Sequence, residues 1–403
     1  MKTHSPSDVG MSSKRLARIS TVMEQFVNNN QFPGIMTLVQ RKGQVVHLGQ
    51  YGMMDIEAGK PMQEDALFRI YSMTKPIVSV ALMMLFEEGR LSLNDPVAQY
   101  VPAFAKTKVY AGSTPLGLKL VDQNPVMTLH HLLTHTAGLS YGWFFDSPIE
   151  DLYRQLGPTI FHREQPLEEV VNQIAGLPLL FQPGTQWRYS YATDVVGYVI
   201  QVMADMPLAE FLQERIFEPL DMKDTAFQVS PKNLDRLAQI YQSEKLYDPV
   251  AFEPDEVVLL HDVTVPTKCP SGGGGLISTL GDYLNFCNCL INNGQYAGER
   301  LLGRKTVAWM SANHIPSQIR PLKMGPNEMD VGFGLGFRVV TSLGEAKSLT
   351  SVGEYGWSGA ANTYFWIDPA EEFIGLMMTQ HMPTEPYPVQ ERFKNLAYQA
   401  IMD

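Results

Sequence analysis

Ser72 and Lys75 are the residues at which chemistry could begin. They stand three apart in Tyr71-Ser72-Met73-Thr74-Lys75-Pro76, the one Ser-x-x-Lys in the chain. Residues three apart on a helix share a side. The sequence that follows is helical in pattern: Ile77, Val80, Ala81, Met84 and Leu85 recur at 3.6-residue spacing and form one apolar face. Pro76 suits a first turn and Gly89 a helix end. A serine hydroxyl becomes a nucleophile when a nearby base takes its proton. A lysine is that base once desolvation and neighbouring positive charge lower its pKa. So short a motif is expected about once by accident in a chain of this length. Its place at the head of a buried helix is what gives it weight.

Three further stretches carry candidates. Tyr189-Ser190-Tyr191 lies just before a helix opened by Thr193-Asp194. Tyr189 could relay a proton if lysine cations lower its pKa, or it packs its ring and bonds its hydroxyl. Gly356-Trp357-Ser358-Gly359-Ala360-Ala361 precedes a strand. Glycines there allow close backbone approach and a peptide N–H could donate to an oxyanion; a turn at a strand entry explains the pattern equally. Gly138-Leu139-Ser140-Tyr141-Gly142 matches G-x-S-x-G, which needs a strand before the serine and a helix after it. Here a helical segment, 129–134, precedes it and an aromatic loop, 141–145, follows. Ser140 is therefore read as non-catalytic. Tyr141, Trp143 and Phe144 either line a pocket or pack under the loop.

His131 and His135 have the i, i+4 spacing of a zinc helix, but Leu132 stands where H-E-x-x-H has its glutamate. With His130 they are read as capping or core residues, and no metal is expected. The glycine run 272–275 lacks the lysine and helix of a phosphate loop, so close packing or a cleft wall is the better reading.

Around these residues the expected elements are a helix over 12–28, strands over 35–41 and 44–50 joined at Lys42-Gly43, and then the Ser72 helix. Helices are expected over 167–175, 193–203, 208–216 and 280–292. Strands are expected over 332–340, 362–367 and 373–380, and a last helix over 389–402. The two ends look alike, which suggests an α+β domain of 1–93 and 272–403, an antiparallel sheet flanked by helices, interrupted by a mainly helical domain of 94–271. With 403 residues, 45% of them hydrophobic, a large core is available. The net charge of −11 argues against nucleic acid as the main partner. Three cysteines form no metal pattern, and Cys287 and Cys289 read as buried thiols. The polar stretch 1–8 lacks a signal core and no run approaches the roughly 18 apolar residues of a membrane span. A soluble, cytoplasmic protein without a membrane partner is expected.

Taken in order, Ser72-Met73-Thr74-Lys75, Tyr189-Ser190-Tyr191 and Trp357-Ser358-Gly359 resemble the motifs of the serine β-lactamases and penicillin-binding proteins. Within that fold the chain is most similar to the family VIII carboxylesterases, related to class C β-lactamases. Pro33-Gly34, Phe68-Arg69-Ile70, Leu132 to Leu139, Phe217 to Met222 and the glycine run extend the likeness over nearly the whole chain. The resemblance implies Ser72 as nucleophile, Lys75 as its general base and Tyr189 as a proton relay to the leaving alcohol. It implies an oxyanion hole from the backbone N–H groups of Ser72 and Ala360, Trp357, Ser358 and Gly359 along the cleft, and no cofactor.

Two departures carry information. Tyr191 stands where β-lactamases have the asparagine of Tyr-x-Asn, so the carboxamide that would hold a substrate amide is missing. Trp357 stands where they have the lysine of Lys-Thr-Gly, so a cation for a substrate carboxylate is replaced by an apolar surface. Both point away from β-lactams and peptidoglycan and toward neutral esters. A serine esterase acting on small-molecule esters with short-to-medium acyl groups is expected, with weak β-lactam hydrolysis beside it because the acylation chemistry is shared. An acyltransferase or amide hydrolase on the same scaffold, or a sensor that binds without turnover, are the alternatives.

Overall fold

The computed structural model describes residues 1–162, 165–245, 248–251 and 262–403. Its centre is an eight-stranded antiparallel sheet in the order Gly332–Phe333, Arg338–Val339, Tyr355–Ser358, Tyr364–Asp368, Phe373–Thr379, Gly34–Arg41, Gln44–Asp55, Lys60–Pro61. The two ends of the chain meet in its middle, where Ile35 faces Thr379 and Arg41 faces Phe373. The first hairpin turns at Lys42 and Gly43, with φ of 49° and 74°, the pair of left-handed residues that a two-residue turn needs to match strand twist.

Successive side chains of a strand point to opposite faces, and here both faces are apolar. Ile35, Val39, Trp366, Phe373 and Met377 pack under the helices Arg18–Asn28 and Val389–Tyr398, against Ile19, Met23, Phe26 and Phe393. Met36, Leu38, Phe365, Ile367, Ile374 and Leu376 belong to the larger core on the other side. That core also takes in Leu280, Tyr283 and Phe286 of the helix Leu280–Ile291 and the buried residues of the helix Thr74–Glu87. The fold is α+β, as expected.

The helix Thr74–Glu87 departs from its expected single apolar face: every residue from Thr74 to Leu85 is buried, including Val78, Ser79, Leu82 and Met83. It packs against the helix Ala192–Ala204 as well as within the core, and a helix enclosed all round needs no polar stripe. It ends as expected at Gly89, where φ is 71°. The Gly89 N–H donates to Phe86 C=O at 3.0 Å and the Arg90 N–H to Leu85 C=O at 3.1 Å, closing the last turn.

Other expectations need correction. The segment 332–340 is a hairpin rather than one strand: the Gly334 N–H donates to Phe337 C=O at 2.8 Å and Gly336 has φ 97°, so the chain reverses between Phe333 and Arg338. The expected helix over 12–28 is two pieces, Ser13–Leu16 and Arg18–Asn28. The last helix stops at Tyr398, and Ile401 instead bridges to Met11. The middle of the chain is not helical throughout, since Val109–Thr114 pairs with Gly117–Val121 and Tyr241–Lys245 with Asp248–Ala251. A helix the pattern did not announce, Pro148–His162, follows the aromatic loop. Cys287 and Cys289 are buried thiols of the helix Leu280–Ile291, as expected. Among the described residues no single helix is long and apolar enough to cross a membrane; one pair of helices bent by 84°, Ala192–Ala204 and Leu208–Phe217, passes by length and composition only.

Candidate active site

Ser72 sits one step earlier than its motif suggests. It lies in the short 3-10 turn Tyr71–Met73, and the α-helix begins at Thr74. Tyr71 has φ 44°, a left-handed backbone that costs a residue with a side chain about 1–2 kcal/mol. Neighbours hold the turn in place. The Ile70 N–H donates to Leu276 C=O at 3.0 Å, the Leu276 N–H to Thr74 Oγ1 at 3.1 Å, and the Tyr283 hydroxyl to Met73 C=O at 2.9 Å.

Lys75 Nζ lies 3.0 Å from Ser72 Oγ and donates to the Gly273 carbonyl. It stands 4.5 Å from the centre of the Tyr189 ring and 5.4 Å from that of Tyr141. Only 1% of Lys75 is exposed. Burial pushes its amine down to about 7, against a smaller upward pull from Asp194. Desolvation therefore does the work that the motif alone divides between burial and neighbouring positive charge. His135, the nearest other basic ring, is itself driven well below its ordinary value by burial and then by Lys75, and stays neutral.

Tyr189 moves the other way. Burial raises its hydroxyl above the ordinary tyrosine range, Asp194 adds to the rise, and hydrogen bonds from Ser72 and Trp357 offset it in part. The expectation that lysine cations depress it is not met, so Tyr189 holds its proton. The Trp357 indole N–H donates to the Tyr189 oxygen at 2.9 Å. The Tyr189 ring also rests on His135, with centroids 4.9 Å apart. A tryptophan thus occupies the lysine position of the β-lactamase motif and keeps a hydrogen-bond donor there while dropping the charge.

The strand Tyr355–Ser358 delivers Trp357 and Ser358, and Gly359 follows it tightly. A Cβ on Gly359 would lie 2.1 Å from Thr363 Oγ1 and 2.5 Å from the Ile70 carbonyl, so only glycine lets this segment pass beside the Ser72 turn. The Gly359 N–H is bonded to Thr363 C=O at 2.8 Å. Ser72, Trp357, Ser358, Gly359 and Ala360 all line one cleft of about 970 Å³. The aromatic loop reaches the same space: Tyr141 and Trp143 stack with centroids 4.9 Å apart and planes 8° from parallel, and Phe144 lies beside Tyr189. Tyr191 is wholly buried and meets Tyr141 edge-on at 4.3 Å. The structure thus brings the expected site residues to the cleft wall, except Lys75, which is buried behind it against Ser72 Oγ.

The other candidates have structural partners, and of them only His135 packs beside the site, against Tyr189. Ser140 is fully buried, donates to Glu150 Oε2 at 2.5 Å, and is not among the cleft residues. Glu150 in turn lies 3.6 Å from Arg188. His131 caps its own helix: Nδ1 accepts the Thr128 N–H at 3.2 Å, and the His131 N–H donates to Thr128 Oγ1. His130 pairs with His314 at 3.1 Å, and His135 Nδ1 with Ser190 Oγ at 3.3 Å.

Two features are not legible in the sequence. Asp194, in the first turn of the helix Ala192–Ala204, is buried and accepts from Ser271 Oγ at 2.5 Å and from the Gly273 N–H at 3.1 Å. Sequence offers only an acid at a helix start, where a cap is the ordinary use. At another part of the cleft Arg338 and Lys394 share the buried carboxylate of Glu354, at 3.0 and 2.7 Å. Two cations there share one carboxylate, and nothing in their local sequence links the three.

Comparisons with known proteins agree with this fold. A beta-lactamase family model matches residues 19–399. Protein Rv1367c of Mycobacterium tuberculosis is 35% identical over 363 residues, covering 87% of this chain and 86% of that protein. Esterase EstB of Burkholderia gladioli is 31% identical over 379 residues, covering 90% of each chain. Among solved structures EstCE1, a hydrolase with promiscuous acyltransferase activity, superposes with a TM-score of 0.80 at 25% identity, over 96% of this chain and 98% of its own. With a family model matching residues 19–399 and a relative 31% identical over 90% of each chain, the chain belongs to the beta-lactamase family.

Proposed function

We propose that this protein is a serine carboxylic-ester hydrolase of the family VIII carboxylesterase kind, acting on neutral short-to-medium acyl esters through an acyl-enzyme on Ser72. The observation that carries the reading is a pair of titratable groups pushed apart around one hydroxyl. Lys75, brought down to about 7, lies 3.0 Å from Ser72 Oγ, while Tyr189, whose ring lies 4.5 Å from the same amine, is pushed up. Such a separation assigns the base and the acid.

In this reading neutral Lys75 takes the Ser72 proton as Oγ attacks the ester carbonyl. The oxyanion is met by the backbone N–H groups of Ser72 and Ala360. As the intermediate collapses, the bond to the alkoxide breaks and Tyr189 gives it a proton, which protonated Lys75, 4.5 Å from the centre of the Tyr189 ring, replaces. Water then enters where the alcohol left and attacks the acyl carbon, giving a proton to neutral Lys75; as the bond to Ser72 Oγ breaks, Lys75 returns that proton to the serine and the acid leaves. Trp357 holds the Tyr189 oxygen on one side, so the hydroxyl proton is directed into the cleft.

Trp357 in place of a lysine, and the walls of Tyr141, Trp143 and Phe144, favour uncharged substrates over those with a carboxylate. Slow β-lactam hydrolysis accompanies ester cleavage because acylation is shared. The same reading treats 1–93 with 272–403 and 94–271 as two units with the cleft between them. Acyl transfer is a second reading, favoured by the promiscuous acyltransferase activity of EstCE1 and by a cleft of about 970 Å³, which has room for an alcohol acceptor.

The test is intact mass spectrometry after brief exposure to p-nitrophenyl butyrate, with nitrophenol release followed in parallel. Wild type should release nitrophenol and carry the acyl group on Ser72, and Ser72→Ala should do neither. Release by both would place the nucleophile elsewhere. Added alcohol that diverts most of the acyl group into a new ester would turn the assignment towards transferase.

A further inference from the structure

Besides Ser72 and the Gly273 carbonyl, four side chains approach the Lys75 amine: the rings of Tyr141 and Tyr189, neutral His135, and Asp194. Asp194 alone among them is a carboxylic acid. Its carboxylate accepts from the Gly273 N–H and from Ser271 Oγ, and the carbonyl of the same Gly273 accepts from Lys75 Nζ. The peptide is held from both ends. Space there is tight: a Cβ on Gly273 would lie 2.3 Å from Asp194 Oδ2, so glycine is what lets the carboxylate approach.

We infer that Asp194 is the positioning residue of this centre, gripping the Gly273 peptide so that its carbonyl meets Lys75 and setting the electric field along the Ser72–Lys75–Tyr189 relay. The inference rests on the esterase reading and adds to it what controls the relay. A buried negative charge favours protonated lysine and disfavours phenolate. Asp194 acts in that sense on Lys75, Tyr189, Tyr141 and Tyr191. Burial alone would carry Lys75 lower, making it a weaker base. Asp194 holds it near neutrality, where a general base is most effective, and keeps Tyr189 protonated for the leaving alcohol.

The experiment measures the rate at which a fluorophosphonate probe labels Ser72, by intact mass, across a pH series from about 5 to about 9, the span on either side of the Lys75 value. Labelling needs Ser72 activated but no turnover. In Asp194→Asn the side chain keeps an oxygen for Ser271 and Gly273 and loses its charge. Its acid limb should move to lower pH than wild type, by roughly one unit. A role in packing alone would lower the plateau and leave the midpoint in place, so coincident acid limbs in folded protein overturn the inference. Should Asp194→Asn fail to fold, Gly273→Ala serves instead: it keeps the charge but displaces it, and its acid limb should shift the same way by less. Coincident limbs there overturn the inference equally. Wild type that takes no label at any pH defeats the esterase reading itself, and the inference with it.

Discussion

Ser72 and Ser140 each stand in a pattern associated with hydrolytic serines, and each has an ionisable partner within hydrogen-bond reach. Ser72 has Lys75 at 3.0 Å and Ser140 has Glu150 at 2.5 Å. The difference lies in what each partner can do. Lys75 is buried among neutral rings and a carbonyl, so its free amine is accessible near neutral pH and can accept a proton. Glu150 sits beside Arg188, and Ser140, with no exposure at all, is a donor to it. One serine opens on a cleft with a base behind it. The other pins the loop before the aromatic residues to the helix Pro148–His162. A motif states which atoms are near in sequence; the surroundings decide whether a proton can move.

The comparison can be broken first at Lys75. Lys75→Ala should lower ester turnover by roughly a thousandfold, within the range of a lost general base, while the protein stays folded. In wild type, kcat/KM should be low at acid pH and rise through about 7, because lysine must lose its proton to act and burial has brought its value to about 7. Tyr189 should add no falling limb in the ordinary range, since its proton is held more tightly than usual. Substantial activity in Lys75→Ala at pH 7, or a profile that falls rather than rises through neutrality, would remove lysine as the base.

A smaller effect is expected at Trp357. Trp357→Phe keeps an aromatic wall and deletes the N–H that Tyr189 accepts at 2.9 Å. A drop of about tenfold in kcat, with KM little changed, is the expected loss of one hydrogen bond to a charge-handling group. An unchanged kcat would mean that Tyr189 is oriented by its packing on His135 alone. The smallest effect on activity belongs to Ser140→Ala. It should leave kcat/KM near wild type and cost stability by about 1–3 kcal/mol, the penalty for leaving a buried acceptor short of a donor, read as an earlier midpoint in urea. A folded but inactive Ser140→Ala would reverse the roles given to the two serines.

Much of the fold was legible because it rests on short-range pattern. The helix after Ser72 and its end at Gly89, the first hairpin, and the strands over 373–380 all follow from spacing and turn residues. The misreadings come where two elements share one pattern. Phe333 and Arg338 sit in what reads as one strand, and only the reversal at Gly336 separates them. The all-round burial of Thr74–Glu87 could not be seen, because Ser79 and Lys75 look like a polar side until another helix covers them.

By itself the sequence determined that Ser72 and Lys75 share a turn, that Tyr189 stands on a loop before a helix and Trp357 beside glycines before a strand, and that the chain resembles one family over nearly its whole length. The first two are properties of local spacing, which peptide geometry enforces wherever the chain folds; the resemblance comes from the ordered set of motifs. Tertiary structure decided the rest. The bonds from Ser271 and Gly273 to Asp194 span 77 and 79 residues, and the Trp357 bond to Tyr189 spans 168. Whether Lys75 is a base and Tyr189 an acid depends on how far each is removed from water and which charge stands nearby. Solvation and charge are set by everything packed around a group, not by its neighbours in the chain.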